Sequence, residues 1–286
     1  MSDVSRGIVI AAPRRYHGLG NRVRVVLGAR SLARHVGREF AYVWPLGSAF
    51  GARFDELWDI RDRRISGLSS WLRSFRHPYR NENLSWMTTA ADERVWQIRT
   101  AHALRLPDGA RPWGEELQTL QPVPTLADRI ASFHAANFGA APYVGVMVRT
   151  HPISNAQTLT HSPIEWYLGR MREIRNQRPG VRFFVSADTP EGQDRILNEV
   201  PHSFALSDKG DYNSKAALLS SVVDLYLLAG AGHILAPHYS SFPEIAQQLA
   251  GPRLRLETSM SGADTILRLE DPLTAVADPL RPFVSR

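Results

Sequence analysis

Three clusters of polar residues, each at the end of an apolar run, carry the side chains that would hold a diphosphate. The first is Arg149, which follows Tyr143-Val144-Gly145-Val146-Met147-Val148. The second is Ser186-Ala187-Asp188-Thr189-Pro190, after Val181-Arg182-Phe183-Phe184-Val185. The third is His238-Tyr239-Ser240-Ser241-Phe242-Pro243-Glu244, after His233-Ile234-Leu235-Ala236. An arginine fork grips phosphate oxygens through paired, charge-assisted hydrogen bonds. Two serines ahead of a proline at a helix start would add hydroxyls and unpaired amides. Plainer readings stay open. Glu244 lies three residues after Ser241, as in a capping box. Arg149 could pair with a carboxylate at a strand end, and Asp188 could either accept from a sugar hydroxyl or cap the helix after it.

Two further features carry chemistry. Gly18-Leu19-Gly20-Asn21-Arg22 sits between an apolar run and a helical pattern, where glycines let backbone approach a ligand and a helix start offers amides to an anion, or where they simply make a tight turn with a helix cap. Val23 stands where the dinucleotide fingerprint needs a third glycine. Asp224 lies inside the apolar helical run Leu218 to Leu228. A carboxylate buried there needs a partner, either backbone or the edge of a bound base. The chain has no Asp-x-Asp pair, no His-Glu-x-x-His and no Gly-x-Ser-x-Gly elbow. Metal-hydrolase and serine-hydrolase chemistry therefore lack support, and no metal site is expected.

The elements that must position these residues are those of an α/β fold. A strand over Gly7–Ala12, a helix from Asn21 to Val36 with one broad apolar face, and a strand over Phe40–Trp44 make one α/β unit. A second series starts at Tyr143, with helices over Ile164–Gln177 and Glu191–Glu199 between its strands. In parallel sheets the carboxyl ends of the strands share one edge, where ligands bind. Gln121-Pro122-Val123-Pro124-Thr125 reads as a connector because its prolines oppose helix and strand alike. It divides the chain into residues 1–125 and 126–286. Residues 47–120 hold Trp58, Trp71, Trp86, Trp96 and Trp113 among arginines and short apolar runs. No elements can be placed there from pattern alone.

Composition bounds the function class. At 286 residues, 43% hydrophobic and 22% charged, the chain describes a globular protein with a proper core. No apolar run reaches the length of a membrane span, the first residues lack the form of a signal peptide, and the expected location is cytoplasmic. With no cysteine there are no disulfides or thiolate metal sites. The net charge is +6, and all basic residues except Lys209 and Lys215 are arginine. The arginines are spread along the chain without a basic run, so bland surface charge or a small anionic ligand is expected rather than nucleic acid.

Taken in order, these motifs resemble the fucosyltransferase superfamily of α-1,6-fucosyltransferases, nodulation fucosyltransferases and protein O-fucosyltransferases. The matching residues are Gly18-Leu19-Gly20-Asn21-Arg22, Val144-Gly145-Val146-Met147-Val148-Arg149, Ser186-Ala187-Asp188-Thr189-Pro190, Asp224 and Ser240-Ser241-Phe242. The resemblance implies a GT-B-like fold, two Rossmann-like domains facing across a cleft, with the donor held by the second. It implies GDP-fucose as donor, inversion at the anomeric carbon, no cofactor or required metal, and a glycan, peptide or small-molecule acceptor. Carried over, Arg149 would grip the β-phosphate. Ser240, Ser241 and the Phe242 amide, with His238 beside them, would hold phosphate oxygens. Asp188 and Asp224 would meet sugar, ribose or guanine, and Gly18, Gly20, Asn21 and Arg22 would line the opposite wall. The chain departs from the pattern at Met147, where the family has histidine, and at Gln157, where the α-1,6 group has a glutamate. His151 is then the candidate base, ahead of Asp211 and His17, unless the departing diphosphate takes the proton. A transferase for another nucleotide sugar and a non-catalytic nucleotide-sugar-binding relative are the alternatives.

Overall fold

The computed structural model describes residues 7–47, 50–211, 213–274 and 276–283. It divides into two compact units, one running to Gln121 and including Asn213–Leu218, the other made of the rest.

The first unit contains β1 (Ile8–Ala11), α1 (Leu19–His35), β2 (Glu39–Val43), β3 (Arg63–Ile65), α2 (Gly67–Ser74), β4 (Tyr79–Arg80), β5 (Val95–Ile98) and α3 (Trp113–Gln118). Its sheet runs β3-β2-β1-β5-β4, with every pair parallel. The pattern of α1 suggests one apolar face, but the helix is buried nearly all round. It lies against β1 and β2 with α3 also packed on it. Its buried arginines, Arg22 and Arg30, both have partners, as a helix enclosed by protein requires. Arg30 donates to Glu116 on α3 at 2.8 Å, and Glu116 also takes Arg34 at 2.7 Å. Four of the five tryptophans in this region are core residues, and Trp71 is half exposed.

The second unit contains α4 (Pro124–Asn137), β6 (Tyr143–Val148), α5 (Ala156–His161), α6 (Ile164–Gln177), β7 (Arg182–Ala187), α7 (Pro190–Glu199), β8 (Ser203–Ala205), α8 (Lys215–Gly230, of which the first turn groups with the first unit), β9 (His233–Leu235), α9 (Ser241–Ala250) and β10 (Arg255–Glu257). The boundary between the two units falls within the expected connector, after Gln121, and Pro124 lies just beyond it. That proline opens α4, since a residue at the first helical position has no hydrogen bond to lose. The sheet runs β10-β9-β6-β7-β8, again parallel throughout. This is the doubly wound order, and its direction reverses between β6 and β9.

Burial on both faces explains the unbroken apolar run of β6. On one side Val144, Val146 and Val148 share a cluster with Phe183, Val185, Leu168 and Met171. Each fully buried side chain of this size contributes about 1.5–3 kcal/mol. On β6, Gly145 is required by packing. A Cβ there would lie 2.9 Å from the Leu228 side chain of α8 and 3.2 Å from Ile234. At the far edge the buried Glu257 takes His233 Nε2 at 2.9 Å, the Leu267 amide at 2.9 Å and the Arg170 guanidinium. Burial pushes the Glu257 carboxyl up, but the hydrogen bonds from His233, Arg170 and Leu267 outweigh it and leave the carboxyl below its ordinary range. Among the described residues, no helix is long and apolar enough to cross a membrane.

Candidate functional site

Sheet register sets the first two polar clusters side by side. Val146, Met147 and Val148 of β6 pair with Val185, Ser186 and Ala187 of β7. One step beyond that ladder stand Arg149 and Asp188. The Arg149 guanidinium donates to Asp188 Oδ2 at 3.3 Å and is about a quarter exposed. The Asp188 carboxylate is buried, and it organises the loop after β6. Its Oδ1 accepts the amides of Thr150 at 2.8 Å and His151 at 3.2 Å, and its Oδ2 accepts the Ser154 hydroxyl at 3.3 Å. Those donors and Arg149 fill the roughly four lone-pair positions of a carboxylate. Both readings of Asp188 are thereby corrected. Its oxygens are spent on the loop rather than open to a sugar hydroxyl, and the cap of α7 is Thr189, whose hydroxyl accepts from the Gly192 amide at 3.2 Å.

Gly192 lets the first turn of α7 approach this loop. A Cβ at that position would lie 2.7 Å from Thr150 Oγ1, and Thr150 Oγ1 is itself bonded to Thr189 Oγ1.

On the other side of β6 lies the loop after β9, across the point where the strand order reverses. Its backbone is tethered by the His238 amide, which donates to Ser162 Oγ at 2.8 Å. The His238 ring packs edge-on against His161 and Tyr239. Tyr239 has a φ of 63° and is 70% exposed. A non-glycine residue in the left-handed region stores strain, and such residues gather at functional sites. The sequence reading passed over Tyr239, since nothing in its residue type signals that backbone.

The helix start differs from expectation. α9 begins at Ser241, so Ser240 is its N-cap and Pro243 its third residue. The Ser241–Glu244 capping box does not form, because Glu244 falls one position too late for it. Ser240 makes no cap hydrogen bond either. Its hydroxyl instead points toward Met147 Sδ at 4.0 Å. The start of α9 thus sets the Ser241 and Phe242 amides and a serine hydroxyl beside the end of β6, with the helix dipole favouring negative charge there.

Asp224 of α8 is buried under the same edge. Its Oδ2 takes the Ser186 hydroxyl at 2.7 Å and Lys209 Nζ at 2.9 Å, while its buried Oδ1 has no hydrogen-bond partner. Lys209 also reaches the Ala187 carbonyl at 3.4 Å. Sequence reasoning missed Lys209, although it is one of only two lysines among 34 basic residues.

His151, the candidate base, has its Nδ1 accepting the Ile153 amide at 3.2 Å. In the neutral ring the proton then sits on Nε2, which makes that nitrogen a donor. Asp211 is exposed.

Gly18, Gly20, Asn21 and Arg22 belong to the first unit, where they start α1 after β1. Neither glycine takes a positive φ, so neither is needed for a sharp turn. Gly18 is exposed, with open space where a Cβ would be. Asn21 Oδ1 accepts from Arg24. Arg22 is corrected outright as a ligand arm. It is fully buried, it donates to the carbonyls of His17 and Arg15 at 2.7 Å and to that of Pro45, and it lies over the Phe50 ring. Burial lowers its pKa to about 10, which leaves it charged at neutral pH. Beside it His17 is held neutral. Burial, then the charges of Arg22, Arg14 and Arg24, lower its pKa to about 4.

No protein-family model and no curated protein matches this chain. Solved structures do match in fold. The fucosyltransferase NodZ from Bradyrhizobium superposes with a TM-score of 0.62 at 17% identity, covering 85% of this chain and 93% of that one. POFUT1 in complex with GDP-fucose gives 0.56 at 13% identity, covering 89% and 99%. FUT1 of Arabidopsis thaliana, in complex with GDP, gives 0.59 at 11%, covering 90% and 71%. The motif resemblance and the fold thus point to the same group of proteins, and the expected α/β, GT-B-like class is the class observed.

Proposed function

We propose that this chain is an inverting glycosyltransferase that moves fucose from GDP-fucose to an acceptor hydroxyl without a required metal. The observation that carries the reading is the pairing, at the switch point of the second sheet, of an Asp188-oriented Arg149 with the uncapped start of α9. The same fold in structures crystallised with GDP-fucose supports the donor. In this reading residues 126–286 hold the donor and residues 1–125 carry the acceptor side, with the Gly18–Asn21 turn among its contacts.

Arg149 grips the β-phosphate, and Ser240, Ser241 and the Phe242 amide take its remaining oxygens. Asp224, with Oδ1 unspent, is the group that meets the base. The acceptor oxygen attacks the anomeric carbon from the face opposite the diphosphate. As that bond forms, the bond from carbon to the β-phosphate oxygen breaks, and its electron pair stays on the departing GDP. Arg149 and the α9 amides stabilise that growing charge, the term that preorganised donors supply best. The acceptor proton leaves to solvent on the acceptor's own face, because the departing diphosphate lies across the sugar ring from it.

The test is GDP release from GDP-fucose in the presence of candidate acceptors, followed for the native chain and for Arg149→Ala. Turnover that falls by roughly 100- to 1,000-fold in a folded variant supports the proposal. A second reading, a nucleotide-sugar-binding protein without turnover, is favoured by Gln157, which stands where the α-1,6 group has a carboxylate. Tight GDP-fucose binding with no release under any acceptor would select it.

A further inference from the structure

Helix α2 is turned inside out. Its only fully buried side chain is a serine, Ser70, which donates to Gln97 of β5 at 2.7 Å and meets Tyr79 Oη at 3.1 Å. Its apolar residues face the other way. Leu68, Trp71, Leu72 and, just past the helix, Phe75 are 64, 51, 55 and 76% exposed. The spacing i, i+3, i+4, i+7 makes them one continuous stripe, and Trp71 and Phe75 pack edge to face at 4.9 Å. An ordinary surface helix buries that stripe and leaves its serines in water.

The surroundings specify what the stripe meets. Between Arg61 and Arg80 the chain has six arginines and one acid, Asp62. Asp62 is already paired with Arg30 at 3.3 Å. Among the described residues, exposed Arg61, Arg63, Arg64, Arg73 and Arg76 have no carboxylate partner. A stripe of leucine, tryptophan and phenylalanine flanked by unpaired arginines matches the interface of an anionic bilayer. There the rings and leucines enter the headgroup boundary while the guanidinium groups meet lipid phosphates. Nucleic acid would not use the apolar stripe, and a protein surface would have to supply both an apolar groove and a full set of acids.

We infer that α2 and Phe75 form a peripheral docking surface for an anionic phospholipid bilayer. The inference does not depend on the transferase reading. The test is co-sedimentation of the full chain with phosphatidylcholine vesicles, with and without phosphatidylglycerol, at low and high salt. The native chain is expected to partition onto the phosphatidylglycerol vesicles and to leave them as salt rises. The Trp71→Ser, Phe75→Ser double variant should lose about tenfold or more of that binding, and Arg73→Glu with Arg76→Glu should lose it as well. Because these side chains are exposed, thermal melting should confirm that each variant is folded. No sedimentation of the native chain, or equal binding by the Trp71→Ser, Phe75→Ser variant, overturns the inference. So does a native dimer that this variant splits while neither form binds vesicles, since a second copy would then cover the stripe.

Discussion

Arg149 and Asp188 form one unit: Arg149 Nη1 donates to Asp188 Oδ2 at 3.3 Å, while Asp188 Oδ1 takes the amides of Thr150 and His151. One carboxylate thus sets both the side chain and the backbone that carries it. Long-chain cations lose rotamer freedom when they bind. Here that freedom is already restricted before a ligand arrives, so binding has less of it to remove.

If the pair acts as a unit, its variants are not additive. Asp188→Asn keeps the size of the side chain but removes the charge facing Arg149. It is expected to lower kcat/KM by roughly 10- to 100-fold, and adding Arg149→Ala should cost far less than the two separate losses together. A double-mutant cycle measures this, and additive losses would show that Asp188 does not work through Arg149.

Ser240 separates stability from binding. Replacing a serine N-cap that makes its bond costs about 1 kcal/mol, but Ser240 makes no cap bond. Ser240→Ala should leave the melting temperature nearly unchanged and weaken GDP binding several-fold by calorimetry. A destabilised variant with unchanged binding would return Ser240 to a plain helix cap.

Lys209 is the counter-charge of a buried carboxylate. Lys209→Met leaves Asp224 with only the Ser186 hydroxyl and should cost about 3 kcal/mol in urea denaturation. Adding Asp224→Asn should return much of that loss. If it returns none, the packing of Lys209 matters and its charge does not.

His17 gives the first unit an acid-sensitive step. Its folded pKa, about 4, lies below its ordinary 6.5. Above pH 6.5 it is neutral folded and unfolded, and the stabilisation is fully present. As pH falls from 6.5 toward 4 the unfolded chain takes up the proton first, and stability declines by on the order of 1–2 kcal/mol. His17→Asn keeps an acceptor for the Arg14 amide and should flatten that part of the Tm–pH curve. An unchanged slope would assign it to other groups.

How much of this is legible in the sequence depends on where the determining contacts lie. β6 is readable as Tyr143–Val148 because burial on both faces makes every one of its residues apolar or glycine. Arg149 and Asp188 can be placed at one edge because parallel strands put their carboxyl ends together. β3 and β4 are three and two residues long and contain Arg63, Arg64 and Arg80. Strands that short show no alternation, and their pairing with β2 and β5 is purely tertiary. α2 escapes because eight residues give barely two turns of pattern, and only the packing of Ser70 against β5 shows that its apolar face points outward. The commitments of Asp188 to the loop, Lys209 to Asp224 and Arg22 to three carbonyls join residues from separate segments. Residue type alone suggests a ligand for each.

The central claim is that the second unit binds a guanosine diphosphate sugar, and a thermal-shift titration tests it most directly. The chain would be melted with GDP, UDP, dTDP, ADP and their sugar conjugates, with and without EDTA. A ligand that binds only the folded chain raises its melting temperature by mass action. The account predicts selective stabilisation by GDP and GDP-fucose, unchanged by EDTA and largely lost in Arg149→Ala. Equal or absent shifts across all the nucleotides would contradict it.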